Sequence, residues 1–143
     1  MKIKVCGMKD YDNVRELAKL PIAYMGFIFY EKSPRYIYDS IDPRIIDLLK
    51  EKKIKKVGVF VNAEVETILK HAETNKLEAI QCHGEESPEY CMSLKEKGFM
   101  VFKAFRISNN FDFSTIEAYH NNCCDYYLFD TLTDKYGGSG KKF

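Results

Sequence analysis

The sequence lacks an excess of charge of either sign. Its 143 residues carry 22 Lys plus Arg against 21 Asp plus Glu, which leaves a formal net charge of +1 at pH 7. A protein that binds nucleic acid needs a basic surface to neutralise the phosphates of the backbone. The even balance therefore argues against a nucleic acid partner.

Long hydrophobic runs are also missing. The longest apolar stretch, residues 22–30, has nine residues and includes Gly26, whereas a membrane-spanning helix needs about 20. The first ten residues, MKIKVCGMKD, become polar again after three apolar positions and so lack the ~7–15-residue apolar region of a secretory signal. We therefore expect no membrane partner and a cytoplasmic location.

Paired-cysteine motifs are absent as well. No CxxC pair occurs among the five cysteines, which are Cys6, Cys82, Cys91, Cys123 and Cys124. An odd number of cysteines cannot be fully paired within one chain, so we predict reduced thiols. Cys82 and His83 would point to opposite faces of a strand, and His71 and His120 lie in predicted helices without ligand partners at useful spacing. We therefore predict no metal site.

Strand-like and helix-like segments alternate along the whole chain, without a linker rich in Pro, Gly or Ser and without an internal repeat. Strands are predicted at residues 3–6, 22–30, 57–61, 79–83, 99–105 and 126–129. Helix starts are predicted at the capping residues Asp10, Asp42, Asn62 and Ser87, and a weaker helix at residues 112–119. Residues 57–61, VGVFV, are apolar throughout, which is typical of a parallel strand buried on both faces.

Six β/α starts at about 24 residues each predict a parallel α/β protein, either an open doubly wound sheet or a (β/α)8 barrel. Periodicity alone does not choose between these two architectures. We expect one domain over residues 1–143.

Reactive groups in parallel α/β folds collect where the strands end, because the loops that follow converge on one rim. The candidates that this rule selects are Cys6, Arg35, Gln81, His83, Arg106 and Asp130. Cys6 and Asp130 have the types needed for acid–base work, since a thiolate accepts a proton and a carboxyl donates one. The alternatives are a core cysteine and a turn-capping aspartate. Arg35 and Arg106 are either anion-binding forks or surface arginines.

A glycine-rich run near the C-terminus, Tyr136-Gly137-Gly138-Ser139-Gly140-Lys141, invites comparison with the phosphate-binding loop G-x-x-x-x-G-K-[ST]. Lys135 stands where that motif begins with Gly, and Lys142 replaces its magnesium-binding Ser or Thr. We therefore do not expect nucleotide hydrolysis. We expect the run to form a glycine-rich active-site loop.

Four motifs, in the same order, resemble those of the phosphoribosylanthranilate isomerase family. Lys4-Val5-Cys6-Gly7-Met8-Lys9 is similar to K-[IV]-C-G-[MI]-[TK], and residues 26–36 are similar to the family's GFIFYPKSPRYV. Gln81-Cys82-His83-Gly84 is similar to QLHG, and Asp130 with residues 136–143 is similar to D…YGGTGKTF.

The resemblance implies a (β/α)8 TIM barrel and an isomerase of tryptophan biosynthesis. The implied reaction is the Amadori rearrangement of N-(5-phosphoribosyl)anthranilate to 1-(2-carboxyphenylamino)-1-deoxyribulose 5-phosphate, without a metal or an organic cofactor. Asp130 is the implied general acid that protonates the ribose ring oxygen, and Cys6 the implied general base that removes the C2 proton. An unperturbed thiol is only a few per cent thiolate at neutral pH, so this base needs a positive or hydrogen-bonding neighbour.

The resemblance also implies the residues that bind the small-molecule phosphosugar-anthranilate substrate. Arg35 is expected to contact the anthranilate carboxylate. The remaining residues expected at the substrate site are Gln81, His83, Arg106, Gly137 and Gly138.

At about 24 residues per unit, the chain supplies six of the eight β/α units of such a barrel. We therefore expect strands seven and eight, with their phosphate-binding loops, to be absent, and this chain alone to be inactive. Strands one and six would then have open edges, through which a homo-oligomer could form. Two alternatives remain. One is a catalytically inactive barrel fragment that self-associates or needs complementation, and the other is a different phosphosugar isomerase or synthase on a related barrel.

Overall fold

The computed structural model describes residues 1–119 and 122–131, in which strands and helices alternate. The strands are β1 (Lys4–Cys6), β2 (Tyr24–Ile28), β3 (Lys55–Phe60), β4 (Ala79–Cys82), β5 (Met100–Ile107) and β6 (Tyr126–Thr131). The helices are α1 (Tyr11–Leu17), α2 (Pro43–Glu51), α3 (Val65–Asn75), α4 (Pro88–Glu96) and α5 (Ser114–Glu117). The predicted β/α alternation is confirmed.

All six strands are parallel and form one sheet in the order β1-β2-β3-β4-β5-β6. A doubly wound sheet reverses its strand order at a switch point, whereas this sheet keeps the order of the chain from edge to edge. The sheet therefore has the strand order of a (β/α)8 barrel, of which it forms six consecutive units. That residues 1–143 make up one domain stays a prediction.

Three of the predicted helix caps are confirmed. The Asp10 carboxylate accepts a hydrogen bond from the Asn13 N–H at 3.0 Å. Asp42 accepts one from the Arg44 N–H at 2.9 Å and is followed by a proline at the first helical position. Ser87 accepts a hydrogen bond from the Tyr90 N–H at the start of α4 and is likewise followed by a proline. These side chains satisfy N–H groups that have no partner within the helix, which fixes where each helix begins.

The prediction that Asn62 caps α3 is wrong. The helix begins at Val65, and its N-cap residue, Glu64, makes no side-chain capping bond. Asn62 instead lies in the left-handed region with φ of 50°, and its Oδ1 accepts a hydrogen bond from the Glu85 N–H at 2.7 Å. Its side chain thus joins the loop after β3 to the loop after β4.

Two strand ends also differ from the prediction. β5 continues to Ile107 and β6 to Thr131, so Arg106 and Asp130 lie within strands rather than after them. The β5–β6 pairing continues beyond the apolar residues from which both strands were predicted. Arg106 and Asp130 are therefore register partners. α5 is shorter than the predicted helix at residues 112–119.

Both faces of the sheet are covered by apolar side chains. The outer face packs against the helices through a core that includes Met25, Phe60 and Ile80. On the inner face Val57 packs with Tyr24 and other residues that fill the inside of the curved sheet. Val57 and Phe60 are 0% and 1% exposed, which confirms that β3 is buried on both faces. No helix in residues 1–119 and 122–131 combines the length and the apolar composition of a membrane crossing.

The five cysteines are all free thiols, and four of them pack in or against the outer core. Cys82, Cys91 and Cys123 are at most 1% exposed. Cys6, by contrast, is partly exposed at the C-terminal end of β1. Its partial exposure distinguishes Cys6 from these buried core cysteines.

Candidate active site

A cavity of about 380 Å³ opens at the C-terminal ends of the strands, on the inner face of the sheet. Its polar lining includes Lys4, Cys6, Arg35, Gln81, His83 and Asp130. Its apolar lining includes Ile28, Val59, Val61 and Leu128. Five of the six residues that the rim rule selected therefore line one cavity, and Cys6 and Asp130 are among them.

The alternation of side chains along β4 determines which groups reach this cavity. Gln81 and His83, two residues apart, both line it. Cys82 is buried on the opposite face in the outer core. The predicted separation of Cys82 from His83 is therefore confirmed, and the two cannot bind one metal ion.

Two glycines next to Cys6, Gly7 in the chain and Gly26 on the neighbouring strand, leave room for the side chains around it. A Cβ at Gly26, the register partner of Cys6, would lie 2.6 Å from the Cys6 sulfur. Gly7 adopts φ of +81°, and any side chain there would overlap the Arg35 side chain. Arg35 Nη1 in turn donates a hydrogen bond to the Cys6 carbonyl at 3.3 Å. Gly7 thus allows the Arg35 guanidinium to lie beside the end of β1, and Gly26 leaves room for the Cys6 sulfur.

Gln81, His83 and Asp130 form a row of polar contacts across the cavity. The Gln81 Nε2 lies 2.6 Å from the His83 Nδ1, and the His83 Nε2 lies 3.4 Å from the Asp130 Oδ2. An amide N–H donates, so Nδ1 accepts, and the neutral imidazole then carries its proton on Nε2, facing the carboxylate. Within the described residues the His83 Nε2 has no hydrogen-bond partner, so it lies at ion-pair distance from the Asp130 carboxylate without a hydrogen bond to it.

Burial lowers the pKa of His83 below its usual 6.5, and the nearby Lys4 adds to this effect, while Asp130 acts in the opposite direction. Burial likewise lowers the pKa of His71. The side chain of His83 is only 14% exposed. Both rings are therefore neutral at pH 7.

A pH-dependent loss of stability follows from these two histidines. Their folded-state pKa values lie below the unfolded value of 6.5. At a pH between the folded and the unfolded pKa, the unfolded chain therefore binds more protons than the folded chain. Their contribution to the free energy of unfolding is complete above pH 6.5 and decreases as the pH falls through that value. Urea unfolding between pH 7.5 and 5 should show this decrease, and His83→Gln should make it smaller. An unchanged pH dependence in His83→Gln would contradict a neutral, buried His83.

Gln81 contains a buried oxygen that is available to a ligand. The residue is 3% exposed, and its Oε1 has no hydrogen-bond partner among residues 1–119 and 122–131. A buried acceptor without a partner is destabilising unless something else donates to it. Because Gln81 lines the cavity, a bound molecule with an O–H or N–H group can supply that donor.

Arg106 lies outside this cavity. It lines a neighbouring cavity of about 310 Å³ together with Gly84, Lys103 and Tyr119, and its Nη2 is 3.4 Å from the Glu85 Oε1. Register places it beside Asp130 on the same face of the sheet. Gly137 and Gly138 lie outside the described residues.

A buried ion pair below the cavity rim was not found from the sequence. Lys103 and Glu86 are each 3% exposed, with the Lys103 Nζ at 3.0 Å from the Glu86 Oε2 and 2.6 Å from the Gly84 carbonyl. The Glu86 carboxylate also accepts hydrogen bonds from the backbone N–H groups of Asn62 and Gly84, at 2.8 and 2.9 Å. One carboxylate thus holds the loops after β3 and β4, next to His83.

Lys4 was missed as well. It lines the cavity two residues before Cys6 on the same strand, and the rule that grouped Gln81 with His83 could have found it. As for metals, the part of the chain that the structure describes contains no group of three or more His, Cys, Asp or Glu placed to hold an ion.

Comparison with known proteins identifies the family. The family model described as N-(5'phosphoribosyl)anthranilate (PRA) isomerase matches residues 3–143. The chain belongs to the phosphoribosylanthranilate isomerase family. Its six β/α units correspond to part of the TIM barrel of these isomerases.

Among curated family members, the N-(5'-phosphoribosyl)anthranilate isomerase of Parabacteroides distasonis is 46% identical over 143 residues. That of Phocaeicola vulgatus is 42% identical over the same length. The alignments cover all of this chain but 64% and 66% of these relatives. The chain therefore spans about two thirds of their length.

Solved isomerase structures have the same fold. The phosphoribosyl anthranilate isomerase of Thermotoga maritima superimposes with a TM-score of 0.81 at 36% identity, covering 100% of this chain and 67% of that one. A second isomerase was solved in complex with reduced 1-(o-carboxyphenylamino)-1-deoxyribulose 5-phosphate. It gives a TM-score of 0.75 at 32% identity and covers 92% of this chain and 66% of that one.

Proposed function

We propose that this chain supplies the acid–base centre of a phosphoribosylanthranilate isomerase. The observation that carries the proposal is that a thiol, Cys6, and a carboxyl, Asp130, line one cavity at the C-terminal ends of parallel strands. Active sites of TIM barrels lie at this end of the sheet. The proposed substrate is N-(5-phosphoribosyl)anthranilate.

The proposed reaction begins at Asp130. Its protonated carboxyl donates a proton to the ribose ring oxygen, which opens the ring and forms a Schiff base. The His83 Nε2, 3.4 Å from the Asp130 Oδ2, is the polar neighbour of the carboxylate that remains. The Cys6 thiolate removes the C2 proton, and the resulting enolamine tautomerises to the ketone. The rearrangement only moves protons and is redox-neutral, so it requires no electron-transfer cofactor.

Two residues of the cavity suit the anthranilate and sugar groups. The Arg35 guanidinium, held beside Cys6 by its bond to the Cys6 carbonyl, binds the anthranilate carboxylate through its planar fork. The buried Oε1 of Gln81 accepts a hydrogen bond from an O–H or N–H of the substrate. Roles for Arg106, Gly137 and Gly138 in substrate binding stay predictions.

A chimaera tests the proposal. The 143-residue chain is joined to the part of the Parabacteroides distasonis isomerase that the alignment leaves uncovered. We expect the chimaera to convert phosphoribosylanthranilate, followed by loss of substrate fluorescence, and the chain alone to show no measurable rate. Binding energy from the phosphate positions the reacting carbons and contributes to the rate as well as to affinity. A folded chimaera that leaves the substrate unconverted, but converts a different phosphosugar, would favour another isomerase or synthase.

A second proposal concerns the partner of this chain. β1 and β6 are the edge strands of the described sheet, and exposed strand edges are templates for pairing with another chain. We therefore propose that the 143-residue chain self-associates through these edges. Sedimentation at several protein concentrations tests this, and a monomer at all concentrations would contradict it.

A further inference from the structure

We infer that Lys4 activates Cys6 electrostatically, a role that rests on the proposed isomerase function. Its ammonium group stabilises the thiolate form of Cys6 and so maintains the base that removes the C2 proton. Lys4 lies beside Cys6 and has no ion-pair partner among the described residues, and a thiol base needs a positive neighbour.

Lys4 and Cys6 are two residues apart on β1, so both side chains point to the inner face, and both line the cavity. A Cβ built at Gly26 would lie 2.6 Å from the Cys6 sulfur and 3.1 Å from the Lys4 Nζ. Both atoms thus approach the same point, which places them within the ~4–6 Å over which a charge favours an opposite charge.

Within residues 1–119 and 122–131, none of the ion pairs includes Lys4. Lys4 also acts on His83 in the same cavity, where it lowers the pKa of the ring, although by less than burial does and more weakly than Asp130 raises it. A positive charge lining a partly buried cavity acts more strongly than one at an open surface.

Arg35 is the other cation beside Cys6, and the proposed reaction gives it a different task. Its guanidinium binds the anthranilate carboxylate, which neutralises its charge once the substrate is in place. Lys4 then remains as the positive neighbour that a thiol base requires at neutral pH.

Alkylation of Cys6 tests the inference without requiring turnover. Iodoacetamide is neutral and iodoacetate is anionic, and both react with the thiolate. In the 143-residue chain at pH 7, Lys4→Met should slow modification of Cys6 by iodoacetamide roughly tenfold, and by iodoacetate more, because the anionic reagent also loses its attraction to the ammonium. Lys4→Arg should restore most of both rates. Mass spectrometry of the peptide that contains Cys6 provides the measurement.

Two controls separate this effect from unfolding and from net charge. Cys82 and Cys91 are 0% exposed, so their continued protection shows that the variant is folded. Lys9→Met removes the same charge from an exposed side chain that lies near the Tyr38 ring and should leave both rates unchanged. Parent-like rates in Lys4→Met, or equal losses in Lys9→Met, would overturn the inference. If alkylation responds as expected while the chimaera is inactive, the proposed isomerase function fails and the link between Lys4 and Cys6 stands.

Discussion

Replacing either proposed catalytic residue should reduce the kcat of the chimaera by about 10²–10⁴-fold, the usual contribution of a general acid or base. Cys6→Ala removes the only sulfur that lines the cavity within the described residues. Asp130→Asn keeps the shape of the side chain and its contact with His83 but removes the proton that opens the ribose ring. Steady-state kinetics with phosphoribosylanthranilate is the measurement.

Matched variants show whether such losses are specific to the cavity. Cys124→Ala removes a partly exposed thiol that packs against the outer core, and Asp39→Asn removes an exposed carboxylate outside the cavity. Both should retain the parent kcat, and circular dichroism should show all four variants folded. A Cys6→Ala or Asp130→Asn chimaera with a near-parent rate would remove that residue from the mechanism.

Lys103→Met should lower the free energy of unfolding by about 3–5 kcal/mol, the usual cost of removing one partner from a buried ion pair. The reason is the environment of Glu86, which is 3% exposed at its side chain. Without the Lys103 ammonium, the Glu86 carboxylate stays buried, and its remaining hydrogen-bond partners among the described residues are the backbone N–H groups of Asn62 and Gly84. Urea unfolding of the 143-residue chain at pH 7 gives the value.

A second substitution and a surface control make this prediction specific. Glu86→Gln in the Lys103→Met background removes the uncompensated charge but keeps an acceptor oxygen, so it should recover part of the lost stability. Lys19→Met, which breaks a pair with Glu16 whose side chains are 64% and 60% exposed, should leave the unfolding midpoint essentially unchanged. A loss below 1 kcal/mol in Lys103→Met, or a further loss in the double variant, would show that the pair does not stabilise these loops.

Local patterns predicted the elements of this fold because the residues that define them act locally. Asp10, Asp42 and Ser87 cap helices through N–H groups two or three residues away, so their role is visible in a short window of sequence. Asn62 is also of a type that favours the N-cap position, but its side-chain oxygen accepts a hydrogen bond from the N–H of Glu85, 23 residues further on. A contact between two loops thus outweighed the local capping preference of Asn62. A short stretch of sequence around Asn62 does not include Glu85, so the contact could not be predicted from it.

The order of the strands in the sheet could not be predicted from local patterns either. Periodicity identified parallel β/α units but not which strands pair, so the barrel was predicted only through family motifs. The sequence analysis did not find the pair of Lys103 with Glu86, because Glu86 lies 17 residues away in another loop. Lys4 is different, since the alternation that placed Gln81 and His83 on one face applies equally to Lys4 and Cys6.

Every neighbour in the sheet is also the next strand along the chain. Each β/α unit can therefore dock onto the one made just before it, without waiting for a distant segment. Such pairings close comparatively short loops, which favours rapid folding. An assembly of this kind can grow from its N-terminal strand while the ribosome is still synthesising the later units.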